Sequence, residues 1–244
     1  MSKLIVLDLH QSIAPQIPEA STLVGRGGLV IIPTDTYYAL GADPFQPAAV
    51  ERIFSLKGRA PEKPILVLIS EMDQAERCAL VNVEYFDQLT EAFWPGPLTI
   101  ILPGIESLPS RLTAGTGKIG LRLPGSPMAR EIVRECGGAL TGTSANLSGE
   151  KDPSLIEMIA DRVLQAVDLV IDAGATPGQA PSTLIDLTGP TPEILRHGAI
   201  PQADLEKVLG FRLPETRGHE TCVPQPARSS GGGSLPVPRT ETKR

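Results

Sequence analysis

Short apolar runs alternate with amphipathic stretches along the first 210 residues. Leu4-Ile5-Val6-Leu7, Leu29-Val30-Ile31-Ile32, Ile65-Leu66-Val67-Leu68-Ile69 and Leu98-Thr99-Ile100-Ile101-Leu102 are apolar on successive residues, as buried strands are. Ile119-Gly120-Leu121-Arg122-Leu123 alternates like a half-buried strand, and Ala139 onward, Val167–Ile171, Ser182–Leu187 and Glu193–Arg196 predict further strands. Between them, residues 16–25, 47–57, 71–79, 84–93, 127–136 and 202–208 show helical spacing, and a further helix is expected to start near Pro153-Ser154. Gly25, Gly27 and Gly28 stop the first helix, and Pro47 suits the first turn of the second. Strands interleaved with helices predict one α/β domain over residues 1–210. Several consecutive strands are joined too tightly for helical crossovers, so a twisted, mixed sheet flanked by helices is expected. Beyond Gly210 the prolines and the run Ser229-Ser230-Gly231-Gly232-Gly233-Ser234 predict a flexible tail over 211–244.

Charge changes this picture little, and chiefly by exclusion. The formal net charge is −6; residues 211–244 contribute +3, leaving −9 on the body. A body this acidic does not bind nucleic acid through bulk charge, so such a contact would need a local basic patch. Aromatics make up 4 % of the chain, which leaves few stacking platforms for single strands. Cys78, Cys136 and Cys222 are widely spaced and predict neither a disulfide framework nor a zinc site; the first two read as core residues. His10, His197 and His219 are scattered and form no metal or triad motif. No membrane span or cationic-then-apolar leader is evident, so a cytoplasmic location is expected.

Candidate chemistry concentrates in a few loops. Leu56-Lys57-Gly58-Arg59-Ala60-Pro61-Glu62-Lys63-Pro64 puts three cations on a stiff connection between a helix and a strand. Pre-positioned cations lose little entropy on gripping an anion such as a phosphate chain, although Lys57 alone is also explained by the helix dipole. Pro33-Thr34-Asp35-Thr36-Tyr37-Tyr38-Ala39-Leu40-Gly41 gathers hydroxyls and a carboxylate at a strand end, where α/β sheets place ligands; it reads equally as a turn. Arg122 in a core strand requires either an acidic partner or an anionic ligand. The small residues from Thr143-Ser144-Ala145-Asn146 to Gly149 could line a pocket without filling it, or simply cap a helix.

Taken together these segments resemble the YrdC/Sua5 family of threonylcarbamoyl-AMP synthases. The resemblance rests on Pro33-Thr34-Asp35-Thr36, Lys57-Gly58-Arg59 with Lys63-Pro64, Trp94-Pro95-Gly96-Pro97, Gly120-Leu121-Arg122-Leu123-Pro124, Thr143-Ser144-Ala145-Asn146-Leu147-Ser148-Gly149, Ser182-Thr183 and Ile194-Leu195-Arg196, in family order over roughly residues 10–205. It implies a YrdC-like domain with a concave ligand cavity and a catalytic tetrad of Lys57, Arg59, Ser144 and Asn146. The implied reaction joins L-threonine, bicarbonate and ATP into threonylcarbamoyl-adenylate, with release of pyrophosphate, for tRNA t6A modification. ATP would lie on Lys57, Arg59, Lys63, Ser144, Asn146, Ser154 and Arg196, with Mg2+ bridging its phosphates. Threonine would lie on Thr36, Arg122 and Ser182, with Ser144 nearby. Implied partners are the threonylcarbamoyl-transferase complex proteins and a possible tRNA or double-stranded RNA contact. An RNA-binding module is the alternative reading. A carbamoyl-adenylating relative from hydrogenase maturation is a third, disfavoured because those domains sit in larger chains with zinc-binding cysteines. Ala39, Lys118 and Leu68 depart from the family pattern, the last two at positions implied to lie near ATP and threonine.

Overall fold

The computed structural model describes residues 3–214, so the proposed tail beyond Pro214, with Cys222 and His219, lies outside the described residues. Eleven strands occur among these residues, and they form two sheets where the sequence predicts one. The five-stranded sheet contains β1 (Lys3–Val6), β2 (Val30–Ile32), β3 (Ala39–Gly41), β8 (Thr143–Ser144) and β9 (Leu169–Asp172), in the order β1-β9-β2-β3-β8. The six-stranded sheet contains β4 (Val67–Ile69), β5 (Leu98–Pro103), β6 (Lys118–Arg122), β7 (Ala139–Thr141), β10 (Thr183–Asp186) and β11 (Glu193–Arg196), in the order β11-β10-β5-β6-β4-β7. Both mix parallel and antiparallel pairs; β2 runs parallel to β9 and antiparallel to β3.

The unbroken apolar runs are explained by burial on both faces. In β2, Ile31 packs into the larger core while Val30 and Ile32 face a second cluster; in β4, Val67 and Ile69 face the larger core and Leu68 the second. Helix α2 (Pro47–Lys57) buries Ala49, Val50, Ile53, Phe54 and Leu56, and ends where Gly58 takes the left-handed conformation at φ 59°. Helix α4 (Pro127–Glu135) is capped by Ser126, whose Oγ accepts from the Ala129 N–H at 3.1 Å, and it packs Ile132 and Val133 into the second cluster. Helices α1 (Ala20–Gly25), α3 (Phe86–Phe93), α5 (Asp161–Ala166) and α6 (Gln202–Leu209) complete the layers.

The chain changes sheets at Gly142, between β7 and β8. Its N–H donates to Leu66 O at 2.9 Å, while the neighbouring Thr141 bonds Ala42 through both its N–H and its hydroxyl. A Cβ on Gly142 would lie 2.5 Å from Leu68 Cγ and 2.8 Å from Leu66 Cδ1, so the crossing requires glycine. Three local expectations change. Residues 39–41 form a buried strand instead of continuing a loop, the helix expected over 71–79 reduces to a 3-10 turn at Met72–Gln74, and the helix expected near Ser154 begins at Asp161 after a 3-10 turn at Ile156–Met158.

Candidate active site between the two sheets

The loop leaving β2 is shaped by its own hydroxyls. Thr34 Oγ1 donates to Tyr37 O at 2.7 Å and accepts from the Thr36 N–H at 3.1 Å, which leaves Thr36 Oγ1 to accept from Arg122 Nη1 at 3.0 Å. Arg122 is buried at the end of β6, where Nε donates to Gly96 O at 3.1 Å and Nη2 lies 2.7 Å from Asp35 Oδ1. That approach is a buried ion pair at hydrogen-bonding distance. Arg122 thus has the acidic partner that its place in a core strand requires, and it also lines the cavity.

The left-handed turn at Gly58 sends Lys57 and Arg59 in different directions. Lys57 is buried, and its ammonium donates to Ser144 O, to Asn146 O at 2.6 Å and to Asn146 Oδ1 at 3.0 Å. Arg59 is folded back by Nε–H to Lys63 O at 2.9 Å and Nη2–H to Pro64 O at 2.7 Å, which aims its guanidinium at the cavity. Arg196, the last residue of β11, donates to Ser182 O at 3.0 Å and Ser182 Oγ at 2.9 Å; Ser182 in turn shares a hydrogen with Thr99 at 2.8 Å.

These groups surround one cavity of about 240 Å³. Arg59, Arg122 and Arg196 line it with Thr36, Ser144 and Ser182, over an apolar floor that includes Leu66 and Leu68. Burial lowers the pKa of each guanidinium from its ordinary value; Arg196 adds to the effect at Arg59 and Arg122 adds to it at Arg196, while Asp35 opposes it at Arg122. Desolvated cations that repel one another form a site that favours an anion.

Of the residues singled out in the sequence, the structure brings Thr36, Arg59, Arg122, Ser144, Ser182 and Arg196 onto the cavity. Lys57 and Asn146 stand behind Ser144. Lys63 and Ser154 are not among the lining residues: Lys63 is exposed, and Ser154 Oγ lies 3.5 Å from Met158 Sδ. Lys118 forms an ion pair with Asp186 at 3.0 Å, whereas Leu68 does line the cavity. The sequence reading missed Asp152, a carboxylate on the cavity wall that accepts from Asn146 Nδ2 at 3.2 Å. It sits in the charged run Glu150-Lys151-Asp152, which gives no local sign of a site.

The model of the Sua5, YciO and YrdC proteins, described as telomere recombination, matches residues 22–198. A protein of Pyrococcus abyssi named threonylcarbamoyl-AMP synthase is 34% identical over 207 residues, 84% of this chain and 61% of its own length. The structure of P. abyssi Sua5 complexed with L-threonine superposes with a TM-score of 0.82 at 33% identity, covering 87% of this chain and 63% of that one. A putative threonylcarbamoyl-AMP synthase of Mycobacterium tuberculosis is 37% identical over 80% of this chain and 89% of its own length. The uncharacterized protein YciO of Escherichia coli is 34% identical over 75% and 88%. This chain spans about three fifths of the first two curated relatives it matches, at 61% and 57% of their lengths. With the matched region covering every strand of the two sheets except β1, and every wall of the cavity, the chain belongs to the Sua5/YciO/YrdC family.

Proposed function

We propose that this chain is an L-threonylcarbamoyladenylate synthase, a nucleotidyltransferase that supplies the threonylcarbamoyl group for tRNA N6-threonylcarbamoyladenosine. The amine of threonine captures bicarbonate or carbon dioxide as a carbamate, with loss of water in the bicarbonate case. A carbamate oxygen then attacks the α-phosphorus of ATP, forming the mixed anhydride as the bond to pyrophosphate breaks. No activated protein nucleophile is needed for this sequence; alignment and charge neutralisation are. One observation carries the reading: three guanidiniums from distant parts of the chain converge on a cavity that also presents hydroxyls and an apolar floor.

Within it, Arg122, held by Thr36 and Asp35, is suited to the amino-acid carboxylate, with Ser182 close by on the wall. Arg59 and Arg196 are suited to the phosphates, since a guanidinium can bind them through two parallel hydrogen bonds. Lys63 and Ser154 would have to be reached by parts of ATP that extend beyond the cavity. Among the described residues no three His, Cys, Asp or Glu side chains are grouped to hold a metal. A magnesium ion would therefore arrive with ATP and be held mainly by phosphate oxygens and water, with Asp152 the nearby carboxylate. It would supply neutralisation of phosphate charge.

The inward direction of these cations favours a small anion over an RNA backbone, and any tRNA or transferase-complex contact would use other surfaces. No helix among the described residues is long and apolar enough to cross a membrane. The test is pyrophosphate release together with mass detection of the labile adenylate after mixing the chain with ATP, threonine and bicarbonate. Release that requires both threonine and bicarbonate is expected. Release with neither would leave a nucleotide site and remove the threonine assignment.

A further inference from the structure

We propose that Lys57 is a positioning residue: its ammonium clamps the Ser144–Asn146 turn from behind the cavity wall and makes no contact with the nucleotide phosphates. The inference rests on the reading of this cavity as the ATP and threonine site. An ammonium has three N–H donors and no acceptor. At Lys57 all three are taken, by Ser144 O, Asn146 O and Asn146 Oδ1, and none is left for a ligand. The residue is 3% exposed and does not line the cavity, whereas Ser144 and Asp152 do. The backbone adds a fourth tie, because the Ser148 N–H donates to Lys57 O at 3.0 Å.

The clamp dictates what the turn presents. Lys57 can only donate, so the Asn146 oxygen must face it and the Asn146 nitrogen must face the other way. There it donates to Glu150 O at 2.6 Å and to Asp152 Oδ1 at 3.2 Å. Asn146 Oδ1 also takes the Ser144 hydroxyl hydrogen at 2.7 Å. Lys57 thereby sets, through one amide, the hydrogen on Ser144 and the seat of Asp152, both of which face the ligand. Burial and the neighbouring Arg59 lower the Lys57 pKa to about 8, opposed by Asp152 and Glu150, the other charged groups that face it.

Direct phosphate contact and positioning make opposite predictions about phosphate number. Affinities of the full chain for ATP and AMP, without threonine, are to be measured by calorimetry for the wild type, Lys57→Met, Asn146→Ala and the double variant. Positioning predicts that Lys57→Met weakens ATP and AMP by the same factor, about tenfold to a hundredfold for loss of a charge-assisted bond network. It also predicts that Asn146→Ala adds less than threefold on top, because both changes break one unit. A loss for ATP at least tenfold larger than for AMP, or full additivity, overturns the proposal. The wild type supplies a second measurement that needs no substitution. Between pH 7.5 and 9.5 the ratio of ATP to AMP affinity stays constant if Lys57 only positions the turn, and falls with Lys57 deprotonation if it grips a phosphate. A wild type that binds neither nucleotide removes the functional reading and this proposal together; a wild type that binds both, with a phosphate-dependent Lys57 effect, removes this proposal alone.

Discussion

Removing Asp35 isolates what the buried ion pair at Arg122 contributes. Asp35→Ala takes away the carboxylate 2.7 Å from Arg122 Nη2, with the two side chains 17% and 5% exposed. Arg122 keeps Thr36 Oγ1 and Gly96 O as acceptors, so its charge is left short of a counter-ion and only partly short of hydrogen bonds. Breaking a buried pair by deleting one partner costs about 3–5 kcal/mol. The low end applies here, because Asp35 is 17% exposed and water partly screens the pair. Loss of the Asp35 Oδ2 bond from the Gly125 N–H at 3.0 Å adds about 1 kcal/mol. A total near ~4 kcal/mol corresponds to a fall in melting temperature of roughly 8–16 °C for a domain of this size. Urea unfolding of Asp35→Ala, Arg122→Met and the double variant measures it. The double variant should recover all but about 1 kcal/mol of the Asp35→Ala loss, because no unpaired charge remains. If Asp35→Ala costs less than about 1 kcal/mol, or the double variant is no more stable than Asp35→Ala, the pair does not hold Arg122 in the way described.

The remaining predictions concern the other walls and the clamp. Arg59→Ala should lower kcat for adenylate formation by about 10²–10³ if its guanidinium stabilises phosphate charge, with turnover near the wild-type level as the contrary result. Gly142→Ala forces a methyl group against Leu68 and Leu66, so it should cost about 1–3 kcal/mol in urea unfolding and abolish threonine binding by calorimetry; unchanged values would show that the crossing tolerates a side chain. For Lys57 the folded pKa, about 8, lies below the ordinary 10.5, so the unfolded chain binds more protons between these values and the Lys57 contribution to stability rises with pH across that window. Turnover should fall over the same window as the clamp loses a donor. A Lys57→Met variant should lack the stability rise, which paired unfolding curves at pH 7.5 and 10 would show.

Elements with long, uninterrupted patterns were legible before the structure. Helix α2 carries Pro47 at its start, five buried apolar residues and Gly58 at its end, and it falls on residues 47–57 as the spacing predicts. Strand β3 was not legible: Ala39-Leu40-Gly41 is three residues long and follows a run of hydroxyls, and its pairing with both β2 and β8 is a non-local fact. The division into two sheets was hidden for the same reason, because it turns on Gly142 lying against Leu66 and Leu68, more than 70 residues away in the chain. At the site, residue types were readable and directions were not. Lys57 and Arg59 are separated by one glycine and look alike in sequence, yet the left-handed turn at Gly58 buries one behind the wall and leaves the other on it. Asp152 gave no signal, since a charged run is normally a solvated face and only the Asn146 amide ties it inward.

The crossing at Gly142 has a mechanical consequence. Thr36 and Ser144 reach the cavity from the five-stranded sheet, while Arg122, Ser182 and Arg196 reach it from the six-stranded one. Whatever fills the space between them adds a rivet to two plates already pinned at Thr141–Ala42 and at Arg122 with Thr36 and Asp35. An occupant that touches both sheets is then a structural member as well as a reactant, and its binding should raise the unfolding temperature of the two together.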